Sequence, residues 1–137
     1  MKSNIRHLTI HGEYLYLSSN KAGYVQKVHL QSMLDSFIIA EDKSQFVFSD
    51  WSSRYVGVGA RTIELNSTGD YIFAAINNQC KVAIIRSSDM KLIAKIDADA
   101  YPVGMAISPD DLTLIVTSQG KKQKGGNSVM IFTITYK

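Results

Sequence analysis

The sequence predicts an all-β chain built from one repeated unit, and three observations carry that prediction. Short apolar runs rich in Val, Ile, Tyr and Phe are divided by clusters of Asn, Ser, Gly and Asp, the signature of strands joined by tight turns. The same succession of run and turn recurs along the chain. Nowhere do the apolar residues keep helical spacing over ~12 residues, so no long helix is expected.

The middle unit is the clearest. Arg61-Thr62-Ile63-Glu64-Leu65 alternates, and the turn cluster Asn66-Ser67-Thr68-Gly69-Asp70 follows it. The apolar run Tyr71–Ile76 leads through Asn77-Asn78-Gln79 to Val82-Ala83-Ile84-Ile85. Lys91–Ile96 then alternates, as a strand with one wetter face should. Four antiparallel strands in ~40–45 residues is the period of a propeller blade. The first three strands are apolar on both faces, which suits a sheet sandwiched between neighbouring sheets.

The C-terminal unit repeats this order. Met105 and Ile107 match Ile63 and Leu65, and Ser108-Pro109-Asp110-Asp111 matches the first turn. Leu114–Thr117 matches Ile72–Ala75, and Val129–Phe132 matches Val82–Ile85. Its second loop, Gln119–Ser128, is longer and carries Lys121, Lys122, Lys124 and two adjacent glycines, which predicts a surface loop. After the run Val129–Thr135 only Tyr136-Lys137 remains, so no outermost strand of its own is expected for this unit.

The N-terminal unit is fainter. Arg6–Ile10 matches Arg61–Leu65, Tyr14–Leu17 matches Tyr71–Ala74, and Asn20, Val25 and Val28 match Asn77, Val82 and Ile85. Met33 matches Met90, which makes Leu34–Ile39 the counterpart of the fourth strand. The three units therefore span about 5–39, 60–97 and 102–135 of a single domain, 1–137. Residues 40–59 form an insertion with one short extra strand expected at Gln45–Phe48. Trp51 and Tyr55 of that insertion either anchor a partner or pack onto a sheet edge. The inward positions Leu8, Ile10, Ile63, Leu65, Met105 and Ile107 are expected to be buried between units.

The string V-G-V-G-A-R-T-I-E-L-N-S-T-G-D-Y-I-F-A-A-I-N-N resembles the YVTN-type β-propeller repeat, and Y-P-V-G-M-A-I-S-P-D-D-L-T-L-I-V-T-S resembles it too. The resemblance covers nearly the whole chain outside 40–59 and implies blades of a partial propeller. Related propellers include lactonases and surface-layer proteins, so the resemblance implies a fold more than an activity. It also implies a periplasmic or cell-surface location if the natural chain begins upstream. Asp111 stands where that family usually has Gly, and Thr68 where it has Asp, which puts the regularity of the hairpin turns in question.

Composition narrows the function. The formal net charge is +3, and the basic residues are scattered apart from Lys121-Lys122-Gln123-Lys124. A nucleic-acid surface would need a basic stripe with interleaved aromatics, so nucleic acid is not an expected partner. No apolar run approaches ~20 residues, so no membrane span is expected. The N-terminal residues lack a signal-peptide pattern. Cys80 has no second cysteine for a disulfide. His7 and His11 lie ~13 Å apart on a strand, too far for one metal. No Cys/His cluster has ligand spacing, so neither metal nor cofactor is expected. Gly57-Val58-Gly59 precedes a strand and not a helix, which removes the phosphate-loop context.

The candidate site lies at the innermost strands. Arg6 and Arg61 hold the same register at the start of those strands, and Tyr101 occupies that corner in the third unit. With Glu64, the one carboxylate clearly placed on an innermost strand, they make a channel mouth suited to a small anionic ligand. The alternative is that each arginine locks its corner to the next unit. A binding scaffold is the first reading of function, and a lactonase-type hydrolase the second. The expected partners are further blades, from a longer chain or from another copy.

Overall fold

The computed structural model describes every residue except 124, 127 and 137. It contains three antiparallel sheets. Sheet 1 holds β1 (Ile5–His11), β2 (Tyr14–Ser19), β3 (Tyr24–His29) and β4 (Ser52–Tyr55). Sheet 2 holds β5 (Ala60–Leu65), β6 (Tyr71–Ile76), β7 (Lys81–Arg86) and β8 (Lys91–Asp97). Sheet 3 holds β9 (Pro102–Ile107), β10 (Thr113–Ser118) and β11 (Val129–Thr133), with no fourth strand among the described residues. No helix of the described residues is long and apolar enough to cross a membrane.

The sequence misplaces two elements, one in the first unit and one in the segment 40–59. Leu34–Ile39 is not a strand but the end of α1 (Leu30–Ile39). His29 caps it: its ring Nδ1 accepts the Ser32 N–H, a donor the first turn leaves unpaired. Gln45–Phe48 is not a strand either, because Lys43–Gln45 forms a single 3₁₀ turn capped by Asp42. The fourth strand comes instead from Ser52–Tyr55, where Ser53 lies opposite Gln26 and Tyr24 opposite Tyr55. Phe37, Phe46 and Phe48 form an aromatic chain, with ring centroids 5.2 Å and 6.5 Å apart. That chain joins α1 to the following segment in an arm beside sheet 1.

The sheets stack face to face. Directly paired strand residues point to the same side. In sheet 2, therefore, Ile63, Ile72, Ala74, Ala83 and Ile85 share one face and Phe73, Ala75, Val82 and Ile84 the other. The first face packs on Tyr16, Val25 and Val56. The second packs on Met105, Leu114 and Val116. Alternation along each strand thus makes sheet 2 the filling of a sandwich.

Ile63 and Met105 are buried and Leu65 and Ile107 half-buried, in line with the register expected of inward positions. Leu8 and Ile10 correct that expectation, for they are 59% and 58% exposed. The cause is geometric. Leu8 lies opposite Leu17 and Ile10 opposite Leu15, on the face of sheet 1 turned away from sheet 2. Ile63 and Met105 each face a preceding sheet. Leu8 occupies the same repeat position, and no sheet of the described residues stands before it.

The repeat extends into the loops. The N–H groups of Leu30, Ser87 and Ile134 donate to the carbonyls of Glu13, Asp70 and Leu112, three matching positions. The turns Asn66–Tyr71 and Ser108–Thr113 close with the same bonds, and Gly69 and Asp111 both hold positive φ, +75° and +64°. The substitution of Gly by Asp111 therefore leaves the hairpin turn intact.

Candidate functional site

Three residues precede the innermost strands with left-handed backbone: Asn4 (φ 61°) before β1, Gly59 (φ 101°) before β5 and Tyr101 (φ 57°) before β9. Their carbonyls accept the N–H of Asn20, Asn77 and Gln119, at 2.9, 2.8 and 2.8 Å. Gly59 is required twice over. Its φ favours glycine, and a Cβ there would lie 2.6 Å from the Asn78 nitrogen. Asn20 and Asn77 also reach across to the next sheet, donating from Nδ2 to the carbonyls of Ala60 (3.5 Å) and Pro102 (3.2 Å).

Arg61 stands at this corner. Its carbonyl accepts the Ser18 hydroxyl of sheet 1, and its guanidinium approaches Gln119 Oε1 at 3.5 Å. Gln119 is bonded through its backbone to Tyr101, so Arg61 and Tyr101 come together through that residue. Lys121 Nζ lies 5.0 Å from the centre of the Tyr101 ring. Arg6 is exposed on the neighbouring innermost strand and lines a shallow cleft with Ile5, His7 and Leu8.

Glu64 stands further along β5. It lies three positions beyond Arg61, about 10 Å at the rise of a strand. It is paired with Phe73 on the face turned to sheet 3. Desolvation raises its carboxyl above the usual carboxylate range, and the charge of nearby His7 acts the other way.

Three residues matter in ways that the sequence did not suggest. His7 Nδ1 accepts the Ile63 N–H at 3.1 Å, tying β1 to β5. His11 Nε2 donates to the Ser67 carbonyl at 2.9 Å, and the Ser67 N–H donates to the Asp111 carboxylate at 2.9 Å. The first turns of all three sheets are thus linked in a chain, and Asp111 has a role that glycine could not fill. Position in the repeat is the sequence signal that could have found these ties, since each lies at an innermost strand or a first turn. Beside them Asn66, Asp70, Tyr71, Asp110, Asp111 and Tyr136 line a crevice of about 400 Å³ between sheets 2 and 3.

The remaining candidates resolve simply. Cys80 holds φ 54° at the position where the first unit has Gly23, and it is half-buried beside Tyr101, Lys121 and Lys122. Trp51 Nε1 donates to the Phe48 carbonyl at 2.8 Å, and Tyr55 packs edge-on to Tyr24. The loop after Gln119 folds back. Gly126 N–H donates to Ser118 Oγ at 3.0 Å, and the Ser128 hydroxyl donates to Asp99. Lys124 of that loop lies outside the described residues. Among the described residues no group of three or more His, Cys, Asp or Glu is placed to hold a metal ion.

No family model matches the chain, and no curated protein does. Solved structures do. The chain aligns with hydrazine synthase of Kuenenia stuttgartiensis at TM-score 0.75 and 19% identity, over 95% of this chain and 32% of that one. The fold is β-propeller-like. A candidate 6-phosphogluconolactonase from Bacteroides fragilis aligns at TM-score 0.70 and 20% identity, over 96% and 35% of the two chains. Hsv2 of Kluyveromyces lactis aligns at TM-score 0.62 and 17% identity, over 94% and 37%. The chain spans about a third of the length of these structures. At such identities the likeness is one of fold alone.

Proposed function

We propose that the chain is a binding scaffold of propeller blades, of the YVTN-like kind its sequence resembles, and that it takes a small anionic ligand at the corner of Arg6, Arg61 and Tyr101. Each sheet is one blade, the third lacking its outermost strand. The supporting observation is Tyr101. It holds left-handed backbone where the other units use Asn4 and Gly59. For an L-residue that conformation costs roughly 1–2 kcal/mol, and strain of this kind gathers at functional sites. The ring carries Lys121 at 5.0 Å, and Arg61 stands beside it through Gln119. An anion at this corner would meet fixed cationic donors.

A second reading is a lactonase-type hydrolase. Two structural neighbours named as candidate 6-phosphogluconolactonases favour it, with Glu64 as the one carboxylate within β1, β5 and β9. Calorimetric titration with inorganic phosphate and with a sugar phosphate tests the first reading. Binding that Arg61→Ala abolishes, at an unchanged melting temperature, supports it. No heat at millimolar ligand sinks it, as does a large loss of stability in Arg61→Ala without ligand, which makes the arginine a corner lock. Hydrolysis of a sugar-phosphate lactone, lost in Glu64→Gln, would establish the second reading instead.

A further inference from the structure

We propose that the crevice between the first turns of sheets 2 and 3 is a binding site for a small hydroxylated amine, of the amino-sugar class. It lies at the far end of β5 from the corner of Arg61 and Tyr101 and is independent of that site. Its volume of about 400 Å³ falls within the range of small-molecule sites. The aromatic wall is Tyr71 and Tyr136, whose ring centroids are 5.6 Å apart with planes inclined at 42°. The Tyr136 hydroxyl donates to the Asp111 carbonyl at 2.9 Å, which holds that ring in place. Rings set in a wedge offer π faces to an ammonium and flat apolar surface to the C–H groups of a sugar ring.

Asn66 is the residue that calls for a ligand. It is 4% exposed and lines the crevice. Its Oδ1 accepts the Tyr71 N–H at 3.1 Å, which turns the amide nitrogen the other way. That nitrogen carries two hydrogens. One reaches toward the Tyr136 hydroxyl, and the second has no acceptor among the described residues. A buried polar side chain with a donor to spare calls for an acceptor.

The carboxylates call for the opposite. Asp70 Oδ2 accepts the Thr68 hydroxyl at 3.0 Å. Asp110 Oδ1 accepts the Ser108 hydroxyl at 2.5 Å and the Leu112 N–H at 3.0 Å. Asp70 Oδ1 and Asp110 Oδ2 accept nothing among the described residues. Asp111 is occupied, since both its oxygens take bonds from Ser67. No lysine or arginine lines the crevice. Among the described residues these carboxylates are not placed to converge on a metal ion. The group that suits Asp70 and Asp110 is therefore an organic ammonium, held by charge-assisted hydrogen bonds. An ammonium for the carboxylates, a hydroxyl oxygen for Asn66 and C–H surface for the rings are together the groups of an amino sugar. A simple alkylamine lacks the acceptor, and a neutral sugar lacks the charge.

Amide NMR of the isotope-labelled full chain, titrated with glucosamine, glucose and ethylamine, tests the site. Glucosamine is expected to shift the amides of Gly69, Tyr71 and Leu112 saturably. It should bind about 10-fold tighter than either of the others, each of which forgoes one kind of contact. Asp70→Asn and Tyr136→Leu should each weaken glucosamine about 10-fold while keeping the wild-type circular dichroism. The three ligands are compared on the wild type, so they decide the matter even if a variant fails to fold. No saturable shift at about 50 mM glucosamine overturns the proposal, because the affinity is then weaker than millimolar. So does glucose binding as tightly, which leaves the carboxylates no part, and so does ethylamine binding as tightly, which leaves Asn66 none. Shifts confined to Ala60, Tyr101 and Gln119 would place the amine at the Arg61 corner and overturn it too. Phosphate binding at that corner is read in its own titration and stands or falls separately.

Discussion

Ile63 and Leu8 hold the same position in two copies of one repeat, yet Ile63 is fully buried and Leu8 is 59% exposed. Sheet 2 has a neighbour on each face. Among the described residues sheet 1 has a neighbouring sheet on one face only. An apolar residue at a repeat position therefore acquires its energetic weight from what stacks on it, not from its own strand. This is the nearest-neighbour logic of repeat proteins, in which interfaces carry much of the stability. The same contrast separates Phe73, packed between sheets 2 and 3, from its counterpart Ile115 at the open end.

The largest effect should come from that contrast itself. Ile63→Ala is expected to cost roughly 2–5 kcal/mol and Phe73→Ala about 3–5 kcal/mol. Leu8→Ala and Ile131→Ala should stay within about 0.5 kcal/mol, as surface changes do. Urea denaturation at nanomolar chain concentration measures all four without help from association. Equal costs at Ile63 and Leu8 would break the comparison.

A smaller effect is expected at the left-handed corners. Gly59→Ala should destabilise by roughly 1–3 kcal/mol, combining positive φ with a close approach to Asn78. Tyr101→Gly, at the matching corner, should be neutral or stabilising by up to about 1 kcal/mol, because it releases the backbone cost. If Tyr101→Gly is as damaging as Gly59→Ala, the ring is structural, and strain there says nothing of a site.

The smallest effects depend on pH and contrast an inner carboxylate with a surface one. Burial raises the Glu64 carboxyl. A raised folded value gives stability that is present below the ordinary carboxylate range and lost as pH rises through the raised value. Glu64→Gln should therefore be more stable than wild type at pH 7, with the difference vanishing in acid. Asp89 runs the other way. Its ion pair with Arg86 lowers it to about 2, so its contribution is present at neutral pH and lost as pH falls toward that value. Both partners are exposed, so Asp89→Asn should produce a slight loss that salt screens. Denaturation curves at pH 7 and pH 2.5 for both variants check the two signs.

Legibility in the sequence followed the neighbours as well. β5 to β8 lie where the alternation and turns place them: β6 and β7 are apolar on both faces because both faces are buried, and β8 alternates because one of its faces is exposed. The N-terminal unit misled. Leu34–Ile39 shares the spacing of Met33 and Met90 with the fourth strand of the middle unit, yet it coils into α1. No residue of that helix is buried, so no sheet contact holds it extended. In the middle unit Asp89 binds Arg86 and the Lys91 N–H, which fixes a hairpin turn. The first unit has Ser32 at that position, where His29 caps a helix instead. Of the candidate site, the corner of Arg61 and Tyr101 was visible as a shared register. The ties made by His7 and Asp111 were not, since each joins residues more than forty positions apart.

By itself the sequence determined the period, the strand faces and the hairpin turns, because these depend on alternation and on residues within a few positions of one another. Only the tertiary structure decided which of the equivalent apolar positions are buried, which strand completes sheet 1, and that the Arg61 guanidinium approaches Gln119 beside Tyr101. Those outcomes depend on what stands against each face, and stacking between sheets is a long-range contact that no local pattern encodes.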